Sequence, residues 1–222
     1  MIKRVMALLL GAFVLLSCSA WAEGEKDFRL LLEENTELIE FEDVKAFLEI
    51  PKLDFLFPVM QHPTDDGFYL KHNALGEESE AGALYTQKTY NLPDFSDPAV
   101  VIYGRRMDDG SMFGKLQEEY SKAFDELREI TLYLPGETRQ YTVVAAVPFS
   151  NAHVLYAYNF RLARRYNAFF DEVYAVRRPG AQMDETLRPQ PDENLLILST
   201  GLRGDATQRY LVIAKINRTE IN

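Results

Sequence analysis

Cysteine is almost absent from this 222-residue sequence, which contains a single one, Cys18. Beyond that position the chain has no thiol that could act as a nucleophile, ligate a metal or form a disulfide. Histidine is scarce too, with three residues, and the sequence has no nucleotide-binding loop and no metal-binding motif. We therefore expect neither a cofactor nor a metal. We also expect a hydrophobic core that stabilises the fold without disulfides, as is normal at about 200 residues.

Basic residues are in deficit as well. The chain has 24 lysines and arginines against 34 aspartates and glutamates, a formal net charge of −10. Such a charge argues against nucleic acid as a partner and against direct adhesion to anionic lipid, so we expect membrane contact only through the N-terminal segment. Hydrophobic residues make up 47% of the chain, which indicates a folded domain and not a disordered protein.

The first 22 residues have the pattern of a targeting segment. Lys3 and Arg4 precede an apolar run at residues 5–16, and Ala20-Trp21-Ala22 offers a small-x-small cleavage site. The run Leu-Leu-Ser-Cys at residues 15–18 is close to a bacterial lipobox, and an uncleaved anchor is a third interpretation. Under each of the three interpretations the rest of the chain is expected to be exported. A cleaved signal would release it, a lipoprotein signal would hold it at the cell envelope through lipid on Cys18, and an uncleaved anchor would hold it through the segment itself.

Periodicity predicts helices on the outside of a sheet. Apolar residues recur at helical spacing in residues 23–48, first as Phe28, Leu31 and Leu32 and then as Val44, Phe47 and Leu48. We interpret residues 23–48 as an N-terminal helical appendage of two short helices and residues 49–222 as the main domain. Further helices are predicted from Ser111 as N-cap to Leu127, and over residues 162–173.

The remaining segments read as strands and one long connection. Residues 46–61 form two apolar runs split by Pro51, and residues 130–147 read as a hairpin that turns at Pro135-Gly136. Residues 177–193 contain three prolines and few apolar residues. A connection of that length without regular structure is usually functional or disordered.

Two buried strands end in polar loops that contain glycine. The first, AVVIY at residues 99–103, ends in Tyr103-Gly104 and is followed by Arg105. The second, LLIL at residues 195–198, ends in Ser199-Thr200-Gly201, and the chain returns through Arg209 into another apolar run. The second strand thus places a small loop beside a guanidinium group.

These strand ends resemble the catalytic strands of sortases, most closely those of class B. In that family the first segment carries Tyr-Gly-His and the second Leu-Ser-Thr-Cys, with an arginine on the next strand. The resemblance runs over residues 42–217. It implies a mostly β fold, a closed barrel of about eight strands with peripheral helices that include an N-terminal helical appendage. It places Arg105 at the family's histidine position, Gly201 at the cysteine position and Arg209 at the arginine position.

The resemblance also implies that no catalytic residue set is intact. Cysteine transpeptidation needs a thiolate, an imidazole that feeds protons and a cation for the oxyanion. Gly201 has no side chain, and the Arg105 guanidinium stays charged near neutral pH. The chain is therefore expected to be a pseudoenzyme at a Gram-positive cell envelope.

Three functions remain open. The first is binding of a sorting-signal-like peptide, a pilin or an active sortase, through residues drawn from Tyr103, Arg105, Ser199, Thr200 and Arg209. The second is a structural or regulatory scaffold with an empty cleft. The third, a hydrolase or transpeptidase that uses Ser199 or Thr200, is disfavoured because no histidine falls in either segment.

The two arginines raise a separate question about charge. Unpaired cations in a cleft are costly, so either the chain or a ligand should supply an acid. If Asp108, Asp109 or Asp205 contacts Arg105 or Arg209, no ligand is implied. If none does, an acidic peptide or a free C-terminus is the expected source.

Overall fold

Nine strands carry the fold in the part of the chain that the computed structural model describes, residues 26–222. The predicted targeting segment and Cys18 lie outside the described residues. The strands are β1 Val44–Ile50, β2 Phe55–Met60, β3 Leu84–Tyr85, β4 Ala99–Tyr103, β5 Glu129–Leu134, β6 Glu137–Ser150, β7 Gln182–Met183, β8 Leu195–Leu202 and β9 Asp205–Ile221. The α-helices are α1 Phe28–Glu34, α2 Leu116–Ala123, α3 Val154–Ala157 and α4 Ala163–Ala175.

The strands close into a barrel. Their order is β5-β1-β2-β3-β4-β8-β9-β6, and a further pairing of β6 with β5 closes the sheet, while β7 extends it beside β6. Most neighbours are antiparallel, and β2–β3 and β4–β8 are parallel. The predicted closed, mostly antiparallel barrel of about eight strands is confirmed.

Burial on both faces explains why the strands read as continuous apolar runs. In β4, Val100 and Ile102 belong to an interior cluster to which all eight barrel strands contribute. Their neighbours Ala99 and Val101 belong instead to a cluster on the outer surface. Successive side chains point to opposite faces of a sheet, so a strand with two covered faces needs apolar residues at every position.

Helices cover the outer surface in two places. One outer cluster packs beneath α3 and α4 and contains Phe169, Phe170 and Val173. The other packs beneath α1 and contains Leu31 and Phe47. Tyr103, at the end of β4, packs against both clusters and so marks the boundary between the two covers.

The second helix predicted for the N-terminal appendage is wrong. Helical structure there consists of α1 and a 3-10 turn at Thr36–Leu38, and β1 already begins at Val44. Leu48 faces the barrel interior while Phe47 packs against Phe28 of α1. Because both faces of β1 are buried, its apolar residues mimic helical spacing.

Two other predicted segments differ in detail. Helix α2 begins at Leu116 and not after Ser111, because the Asp109 carboxylate accepts hydrogen bonds from the Ser111 amide at 2.8 Å and hydroxyl at 2.6 Å and so fixes a separate turn. Residues 177–193 are ordered: they contain β7, and the Tyr174 hydroxyl donates to the Asp184 carbonyl at 3.0 Å. None of the helices within residues 26–222 combines the length and the apolar character that crossing a bilayer requires.

Candidate functional site

Strand register brings the two predicted strand ends together. Tyr103 of β4 lies opposite Ser199 of β8, and Gly201 of β8 lies opposite Arg209 of β9. Leu198, which directly precedes Ser199 in β8, points into the barrel. By the same alternation Tyr103, Ser199, Gly201 and Arg209 share the outer face, at the boundary between the two helical covers.

A cleft of about 640 Å³ opens at this boundary. The positions at which the resemblance places the family's reactive residues, Arg105, Gly201 and Arg209, all line it, together with Tyr103. The remaining lining residues are Leu70, Tyr85, Gly104, Arg106, Leu202, Gly204, Asp205 and Ala206. The strand ends therefore form one wall of a single open site.

Arg209 is held against Ser199. Its Nε donates to the Ser199 hydroxyl at 3.1 Å and its Nη2 donates to the Ser199 carbonyl at 3.1 Å. Its Cζ lies 5.7 Å from the centroid of the Tyr103 ring, a cation–π distance. Burial lowers the pKa of the guanidinium, and the neighbouring phenols of Tyr103 and Tyr85 oppose this effect. Within residues 26–222, no carboxylate lies within 4.0 Å of this cation.

Arg105 is exposed at the rim of the cleft. Its Nη1 donates to the Leu70 carbonyl at a long 3.4 Å. Arg105 and Arg209 both act to lower the pKa of the Tyr85 phenol, against burial, which raises it more strongly. Both arginines and Tyr85 line the same cleft.

Within residues 26–222, no carboxylate pairs with Arg105 or Arg209 within 4.0 Å. Asp108, Asp109 and Asp205 are the acids expected from the sequence, and each is engaged elsewhere. Their partners are Arg106 at 2.5 Å, the Ser111 amide and hydroxyl, and the Thr207 amide and hydroxyl, respectively. Pairing of Arg105 or Arg209 with any of the three is not found.

The two glycines of the wall differ in the space around them. A Cβ added at Gly104 would lie 2.5 Å from the Phe113 ring and 2.7 Å from Leu84, so close packing requires glycine there. A Cβ added at Gly201 would meet nothing within 4 Å. The position that the resemblance assigns to the family cysteine is thus open and faces the cleft.

The structure separates Ser199 from Thr200. Both are buried, with 2% and 1% of their surface exposed. Ser199 faces outward and its hydroxyl accepts from Arg209, whereas Thr200 points into the barrel, away from the cleft. In the described part of the chain the Thr200 hydroxyl has no hydrogen-bond partner. Thr200 adjoins Ser199 in sequence but lies on the other face of the strand, and it is not among the residues that line the cleft.

Sequence reasoning missed Tyr85 and His153. The Tyr85 and Tyr103 rings stack with centroids 5.5 Å apart, and the Tyr103 hydroxyl lies 3.3 Å from His153 Nε2. His153 Nδ1 accepts from the Tyr156 amide at 3.2 Å, so the ring proton sits on Nε2 and is directed at Gln87 Oε1, 2.6 Å away. Burial lowers the pKa of His153. The sequence gives no local signal for either residue. His153 is separated from Tyr103 by 50 positions, and the strand that contains Tyr85, β3, has only two residues.

The described residues include no group of three or more histidine, aspartate or glutamate side chains placed to hold a metal ion. The charged and phenolic side chains that line the cleft are three arginines, Arg105, Arg106 and Arg209, one carboxylate, Asp205, and the phenols of Tyr85 and Tyr103. Such a set can bind and orient an anion or a polar chain.

Comparisons with known proteins agree with the fold. Sortase B of Listeria monocytogenes is 33% identical over 106 residues, which are 47% of this chain and 42% of that protein, so the match spans less than half of the relative. The crystal structure of Clostridium perfringens sortase B superposes with a TM-score of 0.69 at 22% identity and covers 84% of this chain and 100% of its own. The Staphylococcus aureus sortase B–substrate complex gives 0.67 at 18% identity, covering 86% and 91%. No family model matches the chain.

Proposed function

Because the chain is sortase B-like in sequence and in fold, we propose that it binds a peptide in the cleft and does not catalyse transpeptidation. The observation that carries this proposal is Gly201, which faces the cleft with open space where a reactive side chain would project. The cleft is preserved although the group that would react in it is missing. A site that retains its volume without its nucleophile is suited to binding.

Two further features support the absence of turnover. Arg105 cannot cycle a proton near neutral pH because its guanidinium stays charged. The Ser199 hydroxyl is buried and accepts from the Arg209 cation, and no imidazole or carboxylate is among its hydrogen-bond partners in the described residues. A hydroxyl without a base is a weak nucleophile.

The open cleft also favours binding over an empty scaffold. A volume of about 640 Å³ lies within the usual range of about 300–1,000 Å³ for ligand sites. A pure scaffold would need no such space and would be expected to fill it with its own side chains. The expected partners are a sorting-signal-like peptide, a pilin or an active sortase, met on the outer side of the membrane to which the N-terminal segment directs the chain.

The test measures binding and cleavage on the same peptide. A panel of sorting-signal peptides carrying a fluorophore and a quencher is titrated into the purified protein. We expect saturable binding and no cleavage. The variant Gly201→Cys should also leave the peptides intact, because a thiol without an imidazole stays largely protonated. Combining Gly201→Cys with Arg105→His restores both reacting groups and should give a trace of turnover.

The matched control is Arg218→Gln, since Arg218 pairs with Glu220 at the far end of β9. This control should bind like the unmodified protein. Cleavage by the unmodified protein that disappears in Ser199→Ala would contradict the proposal. Absence of binding across the whole panel would favour the scaffold interpretation instead.

A further inference from the structure

Arg209 offers the cleft an unused set of donors. A guanidinium carries its five N–H donors in a planar fork. Ser199 occupies one edge, formed by Nε and Nη2. The adjacent edge, formed by Nη1 and the second hydrogen of Nη2, has no hydrogen-bond partner among residues 26–222. This edge matches the spacing of the two oxygens of a carboxylate.

Arg209, Arg105 and the Tyr85 phenol all line the cleft. Within residues 26–222 no carboxylate pairs with either arginine within 4.0 Å, although Asp66 acts on the pKa of the Tyr85 phenol in the sense opposite to the arginines. Asp205 also lines the cleft, but its Oδ1 accepts from Thr207 and its Oδ2 lies 3.9 Å from Arg178. The negative charge of Asp205 is thus directed away from both arginines of the cleft.

We propose that the cleft recognises a carboxylate, held by the free edge of Arg209 and attracted by Arg105. This inference rests on the proposed function, because it specifies the chemical class of the peptide group that binds. A peptide carbonyl presents one oxygen and no net charge. A carboxylate presents two oxygens to the fork and a negative charge to the arginines that line the cleft.

The roles of the two arginines differ. Arg209 is half-buried and fixed by Ser199, so its contact sets the geometry and persists at raised salt. Arg105 is exposed and bound only through the long contact to Leu70, so its contribution is electrostatic attraction that salt screens. Two sources of the carboxylate fit this arrangement: the free C-terminus of a peptide, and an aspartate or glutamate side chain.

A peptide library in three forms separates these sources. N-acetylated hexapeptides are synthesised with a free C-terminal carboxylate and no acidic side chains, with a C-terminal amide and one Asp or Glu, and with a C-terminal amide and no acid. Enrichment on the immobilised protein is measured for each form. We expect one of the two acid-bearing forms to be enriched about tenfold or more over the neutral form.

Variants assign the effect to the arginines. Arg209→Gln should abolish the preference for the acid-bearing form at both low and high salt. Arg105→Gln should reduce it at low salt and leave it unchanged at 0.5 M salt, where screening is strong. Arg209→Lys keeps the charge without the fork and guards against a folding defect; it should retain part of the preference. Arg218→Gln should behave like the unmodified protein.

The outcomes distinguish this inference from the proposed function. Equal enrichment of all three forms would overturn carboxylate recognition while peptide binding stands. No enrichment of any form would overturn both. A preference for acid that survives Arg209→Gln would show that the carboxylate is bound elsewhere, which also overturns the inference.

Discussion

Replacing the two glycines of the cleft wall by alanine should change stability in opposite directions. At Gly104 the added Cβ would lie 2.5 Å from Phe113 Cδ2 and 2.7 Å from Leu84 Cδ2. Both neighbours belong to the buried interior cluster, so neither can move into solvent. Overpacking of this kind costs about 1–3 kcal/mol of unfolding free energy.

At Gly201 the same methyl group meets nothing within 4 Å, and the backbone is not in the left-handed region. Alanine there restricts the unfolded chain without creating a clash in the folded one. Glycine inside a strand is less stable than alanine by about 0.5–1 kcal/mol, so Gly201→Ala should stabilise the protein by that amount.

Thermal unfolding followed by circular dichroism measures both effects. For a chain of this size about 1 kcal/mol moves Tm by about 2–4 °C. Gly104→Ala should therefore lower Tm by about 2–12 °C, and Gly201→Ala should raise it by about 1–4 °C. If Gly201→Ala lowered Tm as Gly104→Ala does, the open space at position 201 would not exist. The account of that position as a vacated site would then be refuted.

Two further predictions concern Thr200 and His153. Thr200→Val removes a buried hydroxyl that has no partner in the described residues, so it should raise the unfolding free energy by about 1 kcal/mol in urea titrations. Ser199→Ala should lower it by a similar amount, because the Nε of Arg209 loses its acceptor while Nη2 keeps the Ser199 carbonyl. Burial lowers the folded-state pKa of His153, so the contribution of His153 to stability is present above the unfolded pKa of about 6.5 and is lost as pH falls below it. The variant His153→Asn keeps an N-cap acceptor for α3, and the stability difference between it and the unmodified protein should shrink between pH 7.5 and 5.5. A difference that does not change with pH would contradict this prediction.

The fold could be predicted from the sequence wherever the pattern of burial is simple. The hairpin of β5 and β6 was recognisable because Ile130–Leu134 alternates and Pro135-Gly136 supplies the turn. Strands β4 and β8 read as short continuous apolar runs, as strands covered on both faces do. The same burial on both faces misled the prediction at β1, where period-two alternation is hidden and a helix fits the apolar spacing equally well.

Only the site residues that belong to local sequence motifs could be predicted. Tyr103, Arg105, Gly201 and Arg209 follow the two strand ends, and strand pairing brings them into one cleft. Thr200 adjoins Ser199 in sequence, and alternation along the strand turns it inward, away from the face that carries Ser199. Tyr85, which lines the cleft, and His153, which contacts Tyr103, come from segments with no motif, and only the closed barrel brings them together.

The position of the cleft follows from the fold, while its chemistry follows from two residues. The outer surface is covered by α1 on one side of Tyr103 and by α3 and α4 on the other, so the end of β4 is where a ligand can reach the sheet. A fold fixes such a place without fixing what happens there. Gly201 leaves open space on the outer face of β8, and Arg105 adds a permanent charge at the rim of the cleft. Because no carboxylate within residues 26–222 pairs with Arg105 or Arg209 within 4.0 Å, the proposed absence of transpeptidation and the proposed anionic ligand both depend on these positions.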